Sequence, residues 1–300
     1  MHTDTTATGP AETSRIELGE VGVWLRATAL DAGITRAIEA AGYGTLWIGG
    51  SPEPDLALVE TALDESERLA VATGIVPIWA APPEVLAASW HRIQAHHPDR
   101  FLLGIGTSHP ERWGAEAASP YDALVAYLDG LEAAGVPAQR LVLAALGPRT
   151  LRLAAERTAG AHPFLVPTSH THAARERIGP RALLAPEQRV VLEADPERAR
   201  AMARPTVQTP YLGLRNYREH LRRLGWSEAD LDDGGSDALI DALVVSGDDA
   251  AVAAGIRAQL AAGADHVAVQ LLDADEAGYA RVAAALGLSG DRPAPPRPSA

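Results

Sequence analysis

The chain has 300 residues, 47% of them hydrophobic and 22% charged, with a net charge of -13, enough material for one large core or two ordinary ones. It contains neither cysteine nor lysine, which excludes disulfides, thiolate nucleophiles, Cys-ligated metal centres, lysine Schiff bases and the lysine-dependent phosphate loop. The acidic balance repels nucleic-acid backbone, no window approaches the roughly 18 unbroken apolar residues of a membrane span, and MHTDTTATGPAETSR lacks the features of a secretory leader, so a cytoplasmic protein without nucleic-acid or membrane partners is expected.

Residues 1–15, rich in Thr and small side chains, and the Pro-rich 289–300 read as disordered tails around one unit, 16–288. Within it, short apolar runs begin with VGVWL (21–25), TLWIG (45–49), LAVATGIVP (69–77) and FLLGIG (101–106). They continue with LVLAAL (141–146), HPFLVP (162–167), RVVLEA (189–194) and HVAVQLL (266–272). The runs lack polar alternation, as parallel strands covered on both faces do. Between them lie DAGITRAIEAAG, LALVETALDESE, PPEVLAASWHRIQAH, PYDALVAYLDGLEAAG and RTLRLAAERTAG, with apolar residues at helical spacing and glycine near several ends. Eight strands, each followed by a helix, predict an α/β protein with a (β/α)8 TIM barrel fold; a doubly wound sheet would use fewer strands. Residues 205–246 break the alternation and read as a helical insertion between strands seven and eight, either a lid or an extra packing pair.

In such a barrel the chemistry sits at the carboxyl ends of the strands. The fourth run ends GIGTSH, which lacks the third glycine of a dinucleotide loop because His109 stands there. Gly104 and Gly106 let a flat ligand approach, with Thr107, Ser108 and His109 offering hydrogen bonds; the alternative is a glycine-kinked turn whose hydroxyl caps the next helix. The third run ends Thr73, Gly74, Ile75, Val76, Pro77, where a distorted backbone or a simple rim bulge fits. Gly49 and Gly50 leave space after the second. After the sixth, Thr168 or Ser169 caps a helix whose first N–H groups, with His170 nearby, suit a phosphate. His170 and His172 share no helix face and have no acidic neighbour in their loop, so no metal site is expected. Trp79, Trp113, Tyr211 and Tyr217 are candidates to line an apolar substrate pocket, with core packing as the alternative.

Taken together, YGTLWIGG, LAVATGI, HHPDRFLLGIGTSHPER, LAALGPRTLRLAAERTAGAHPFLVPTSHTHAAR, LLAPEQRVVLEADPERARAMAR, LRNYREHLRRLGW and AGADHVAVQLL resemble, in order and spacing, the bacterial luciferase-like monooxygenase superfamily, and within it the deazaflavin-dependent oxidoreductases. The resemblance spans about Ile16 to Leu288. It implies a flavin or deazaflavin across the barrel mouth and a non-prolyl cis peptide joining Gly74 to Ile75 beneath its ring. It further implies Gly49, Gly50, Thr73, Gly74 and Ile75 around that ring, Thr107, Ser108 and His109 along the ring or ribityl chain, and Thr168, Ser169 and His170 at the phosphate. Some relatives carry an Asp–His pair where Gly49 and Gly50 stand and a Glu where His109 stands, so His109 is the one local candidate for a catalytic acid–base group. The implied activity is hydride transfer between coenzyme F420 and a small organic substrate, in a homodimer as is common in the family. That every cation is an arginine and Asn216 the sole asparagine suits the GC-rich hosts that make F420. Two alternatives stand beside it: an FMN-dependent monooxygenase served by a flavin reductase and oxygen, and a non-catalytic barrel that binds a cofactor for storage or sensing.

Overall fold

In a computed structural model that describes residues 15–108, 119–272 and 275–290, the apolar runs become parallel strands. They are β1 (Val21–Arg26), β2 (Thr45–Gly49), β3 (Ala70–Gly74), β4 (Val76–Pro77), β5 (Phe101–Gly106), β6 (Leu141–Leu143), β7 (Gly160–Ala161), β8 (Leu183–Leu184), β9 (Glu187–Val191), β10 (Val244–Ser246) and β11 (Val267–Leu271). β3 and β4 are one strand broken at Ile75, and β8 and β9 are one strand broken at Ala185 and Pro186. Counted so, β1, β2, β3–β4, β5, β6, β7, β8–β9 and β11 are eight barrel strands. The ring closes because Gly160 pairs with Leu183, Ala268 with Glu187, and Val21 with Val267. Backbone bonds from Ala185 N to Ala161 O and from Glu187 N to Pro163 O, each 2.9 Å, carry the seam across the β8–β9 break.

The helices α1 (Ala32–Ala40), α2 (Ala57–Asp64), α3 (Pro83–His96), α4 (Pro120–Ala133), α5 (Pro148–Arg157), α6 (Thr168–Ile178), α11 (Asp249–Ala261) and α12 (Glu276–Leu286) form the outer ring. One large apolar cluster lies between strands and helices, with Ile38, Val59, Leu86, Leu131 and Val282 of the helices against Val23, Ile48, Val71, Leu103 and Val269 of the strands. A second cluster fills the barrel interior: Trp24, Trp47, Ala70, Ala72, Leu102, Val142, Ala185 and Ala268. Strand side chains alternate, so these residues fix which positions point inward nearer the mouth. Deep in the interior the Trp47 indole N–H donates to His266 Nε2 at 2.9 Å, while His266 Nδ1 meets Gly19 O at 2.6 Å.

The insertion comprises α7 (Pro196–Gln208), α8 (Arg215–Arg223), α9 (Glu228–Leu231) and α10 (Asp237–Leu243), packed around Val207, Tyr217, Leu221, Leu239 and Ile240. It lies between β9 and β11, but it starts earlier than residue 205 and ends in a strand. Val244–Ser246, which read as helix, pairs in parallel with β9, where β7 has already turned away. Two strands also differ from expectation. HPFLVP is not a strand beyond Ala161, because Pro163 and Pro167 have no N–H to donate. The seventh strand starts at Leu183, six residues before the expected start, with Pro186 marking a break that reads in sequence as a loop.

Candidate active site

At the carboxyl ends of the strands a cavity of about 610 Å³ opens toward the insertion. Its two halves differ in chemistry. On the side of β2 to β6 the inward positions are Gly49, Gly74, Gly104, Gly106 and Ala144, none larger than a methyl. The small size is used: a Cβ on Gly49 would stand 1.8 Å from the Trp24 ring, one on Gly104 1.9 Å from Thr73 O, and one on Gly106 2.8 Å from the Ala144 methyl. The peptide between Gly74 and Ile75 is cis, and both residues face the cavity. Gly50, the residue after β2, lines the same side with φ +81°, a backbone that favours glycine.

On the side of β1 and β7 to β9 the inward residues are large and polar. Trp24 and Arg26 follow one another on the inner face of β1, and His162 and Phe164 on the chain leaving β7; all four line the cavity. Trp24, Phe164, Tyr211 and Tyr217 form an aromatic wall with successive centroid separations of 5.1, 5.6 and 4.8 Å. Behind it, fully buried Glu187 accepts from Leu165 N at 2.9 Å and lies 3.7 Å from the Arg189 Nε. Arg189 donates to Thr206 O at 2.5 Å and packs 4.8 Å from the Tyr211 ring centroid. Burial pushes the Glu187 carboxyl up to about 7, against the opposing pull of Arg189.

His162 donates through Nδ1 to Ala185 O at 2.6 Å, which leaves Nε2 a bare acceptor. Burial pulls its pKa down to about 4, so the ring is neutral at pH 7, stacked 4.1 Å from Trp47. His162 Nε2 and Trp24 Nε1 have no hydrogen-bond partner among the described residues. They lie 2.9 and 2.7 Å from the point a Gly74 Cβ would occupy, so an acceptor and a donor converge just beneath the cavity floor.

The expected site residues divide. Gly50, Gly74, Ile75, Thr107 and Ser108 line the cavity. Gly49 does not; it makes room for Trp24. Thr73 faces away as well: its hydroxyl donates to Gly104 O at 2.9 Å and accepts from Gly104 N at 2.8 Å, tying β3 to β5. Thr168 and Ser169 are exposed and off the cavity, and His170 is buried, 4.6 Å from His220 of α8. Burial drives the His170 pKa down to about 3. Thr168 and Ser169 at the start of α6 thus face solvent away from the cavity, while His170 packs against the insertion. α5 does start on the cavity, which Gly147, its N-cap, and Thr150 line, as does α4 through Ser119, Pro120 and Tyr121, and no side chain caps either helix. His109 and Trp113 lie outside the described residues. Tyr211 and Tyr217 line the cavity, whereas the Trp79 indole holds Thr107 O at 2.8 Å.

No protein-family model matches the chain, and no curated protein matches it in sequence. Solved structures do match it in fold. An F420-dependent secondary alcohol dehydrogenase, solved with an F420–acetone adduct, superposes with TM-score 0.68 at 12% identity over 89% of this chain and 98% of its own. The coenzyme F420-dependent tetrahydromethanopterin reductase of Methanopyrus kandleri gives 0.66 at 16% identity over 88% and 97%. The oxygenating constituent of 3,6-diketocamphane monooxygenase from Pseudomonas putida, a type II Baeyer–Villiger enzyme solved with FMN, gives 0.61 at 16% over 92% and 99%. These likenesses establish the architecture, a (β/α)8 barrel.

Proposed function

We propose that the protein is an oxidoreductase that moves a hydride between coenzyme F420 and a small organic substrate held over the cofactor ring. The observation that carries the proposal is the lopsided mouth of the barrel, where the small residues Gly50, Gly74, Ala144 and Gly147 line a floor along one side and Trp24, Arg26, His162 and Phe164 line the other. A planar ring can lie directly on that floor, with the polar wall left for its partner. Gly50, Gly74, Ile75, Thr107 and Ser108 would hold the ring and ribityl chain. The open first turn of α5, at Gly147 to Thr150, would receive the phosphate through backbone N–H groups, as anions are held at helix starts. Thr150 adds a hydroxyl, and Arg149, its guanidinium 4.0 Å above the Tyr121 ring, stands beside that turn.

When bound, the cofactor supplies the hydride chemistry, and the protein supplies orientation and a dry, shaped site. The aromatic wall excludes water from one face of the cavity. His162 stays neutral, so its Nε2 accepts a hydrogen bond and leaves the floor uncharged. Neither Gly49 nor Gly50 can move a proton, and the acid–base role stays with His109 in this reading.

F420 is preferred to FMN because the strand-end motifs resemble the deazaflavin branch and two of the three structural neighbours above are named for F420. Fluorescence titration of the purified protein with each cofactor tests the choice. Saturable quenching of F420 with no response to FMN is expected; tight FMN binding without F420 binding would favour the monooxygenase reading. F420 binding without turnover of any substrate panel would favour a sensing barrel.

A further inference from the structure

We propose that the substrate of this site is a small organic carboxylate with an apolar or aromatic body, and that Arg26 binds its charged end. The inference rests on the cofactor reading above and extends it to the substrate.

Arg26 is the last inward residue of β1, two positions beyond Trp24, and it lines the cavity. Among the described residues no carboxylate lies within ion-pair distance of it. The carboxylate that most influences the same space, Glu187, is engaged by Leu165 N and faces Arg189. Glu219, the acidic residue of the cavity lining, is paired with Arg215 at 2.7 Å. Arg223, also on the cavity, has no carboxylate partner either. The described cavity lining carries two arginines and one carboxylate in a chain of net charge -13. Other arginines are neutralised, as Arg218 is by Glu228 and Asp232 at 2.7 and 2.8 Å.

Position separates this charge from the cofactor's own anionic end. In the ring of eight strands β1 and β6 stand opposite one another, since β2, β3–β4 and β5 lie between them on one side and β7, β8–β9 and β11 on the other. A phosphate at the start of α5, beyond β6, lies across the mouth from Arg26. Arg26 is exposed at the mouth and feels the charge of buried Glu187 without pairing with it, and a ring laid on the floor removes water from it. An unpaired guanidinium in such a space is costly, and a carboxylate relieves the cost with a planar, two-bond match. The aromatic wall from Trp24 through Phe164 to Tyr211 begins beside Arg26 and supplies the surface for the apolar body.

The test uses calorimetric titration of the full chain, with and without saturating F420, against benzoate, hexanoate and acetate and their uncharged amides. For wild type, benzoate and hexanoate are expected to bind at least ten-fold more tightly than their amides, with the preference shrinking as salt rises. Arg26→Met is expected to abolish that preference while leaving F420 affinity within two-fold, and Arg26→Lys to restore part of it. The proposal is overturned if no carboxylate is preferred, if Arg26→Met keeps the preference, or if Arg26→Met weakens F420 itself. Should Arg26→Met not fold, loss of benzoate preference on titrating Arg26→Gln decides the point in its place. Failure of wild type to bind F420 defeats the proposed function, and the F420-free titrations still decide the role of Arg26.

Discussion

Replacing Gly147 by alanine separates binding from stability. The backbone there has φ -84° and ψ 157°, which alanine adopts freely, and a Cβ on Gly147 meets no atom within 4 Å. Folding stability should therefore change by less than about 0.5 kcal/mol, the range of substitutions that disturb no packing. If the cofactor phosphate sits on the first turn of α5, the new methyl stands where phosphate oxygens approach the backbone N–H groups. Losing one charge-assisted hydrogen bond costs roughly 1.5–3 kcal/mol, or about 10- to 150-fold in affinity at 1.4 kcal/mol per decade. Fluorescence titration with F420, alongside urea unfolding of the same samples, reads both numbers. The double variant Thr168→Ala, Ser169→Ala should bind as wild type does. Unchanged F420 affinity in Gly147→Ala, or a large loss in the α6 variant, would refute the placement.

Gly49→Ala should instead cost stability, about 1–3 kcal/mol for overpacking, because its Cβ would stand 1.8 Å from the Trp24 ring; an unchanged urea midpoint would show that Trp24 is free to move. Glu187, raised to about 7 in the fold from 4.5, contributes stability that is full below pH 4.5 and lost as pH rises toward 7, on the order of 3 kcal/mol. Glu187→Gln should lack that loss, so its urea midpoint should gain on that of wild type between pH 5 and 8, and parallel curves for the two proteins would contradict it. His162 and His170, lowered from 6.5 to about 4 and about 3, act in the opposite direction: their contribution is full above pH 6.5 and falls away in acid. With His220 also lowered from 6.5 to about 4, the histidines outweigh Glu187 below neutrality, so wild-type stability should rise from pH 5 to about 7 and then level off, and a midpoint that falls between pH 5 and 7 would disprove the pairing of these effects.

Much of the barrel was legible because the hydrophobic runs are continuous and end in glycine, as at Gly49, Gly74 and Gly106. The seam was not: HPFLVP (162–167) reads as a strand and Pro186 as a loop residue, yet regular pairing stops at Ala161 and isolated bonds such as Glu187 N to Pro163 O carry the chain along its neighbour. The glycine floor was visible as composition, and its members Gly74 and Gly50 do face the cavity. The polar wall was not visible, because whether Arg26, His162 or Glu187 points inward depends on strand register set by distant pairings such as Val21 with Val267. The phosphate helix was read as the one that starts at Thr168; that Gly147 and Thr150 of α5 line the cavity while Thr168 and Ser169 do not depends on how distant elements pack, as His220 does against His170.

The central claim is that a flat cofactor occupies the glycine floor at the barrel mouth. The most direct measurement is a crystal structure of the protein grown with F420. Ring density is expected over Gly74 and Ile75, between Gly50 and Thr107, with the phosphate at the start of α5 and Arg26 facing open space beyond the ring. Density elsewhere, or a ring seated against β9 with the glycine floor bare, would contradict it.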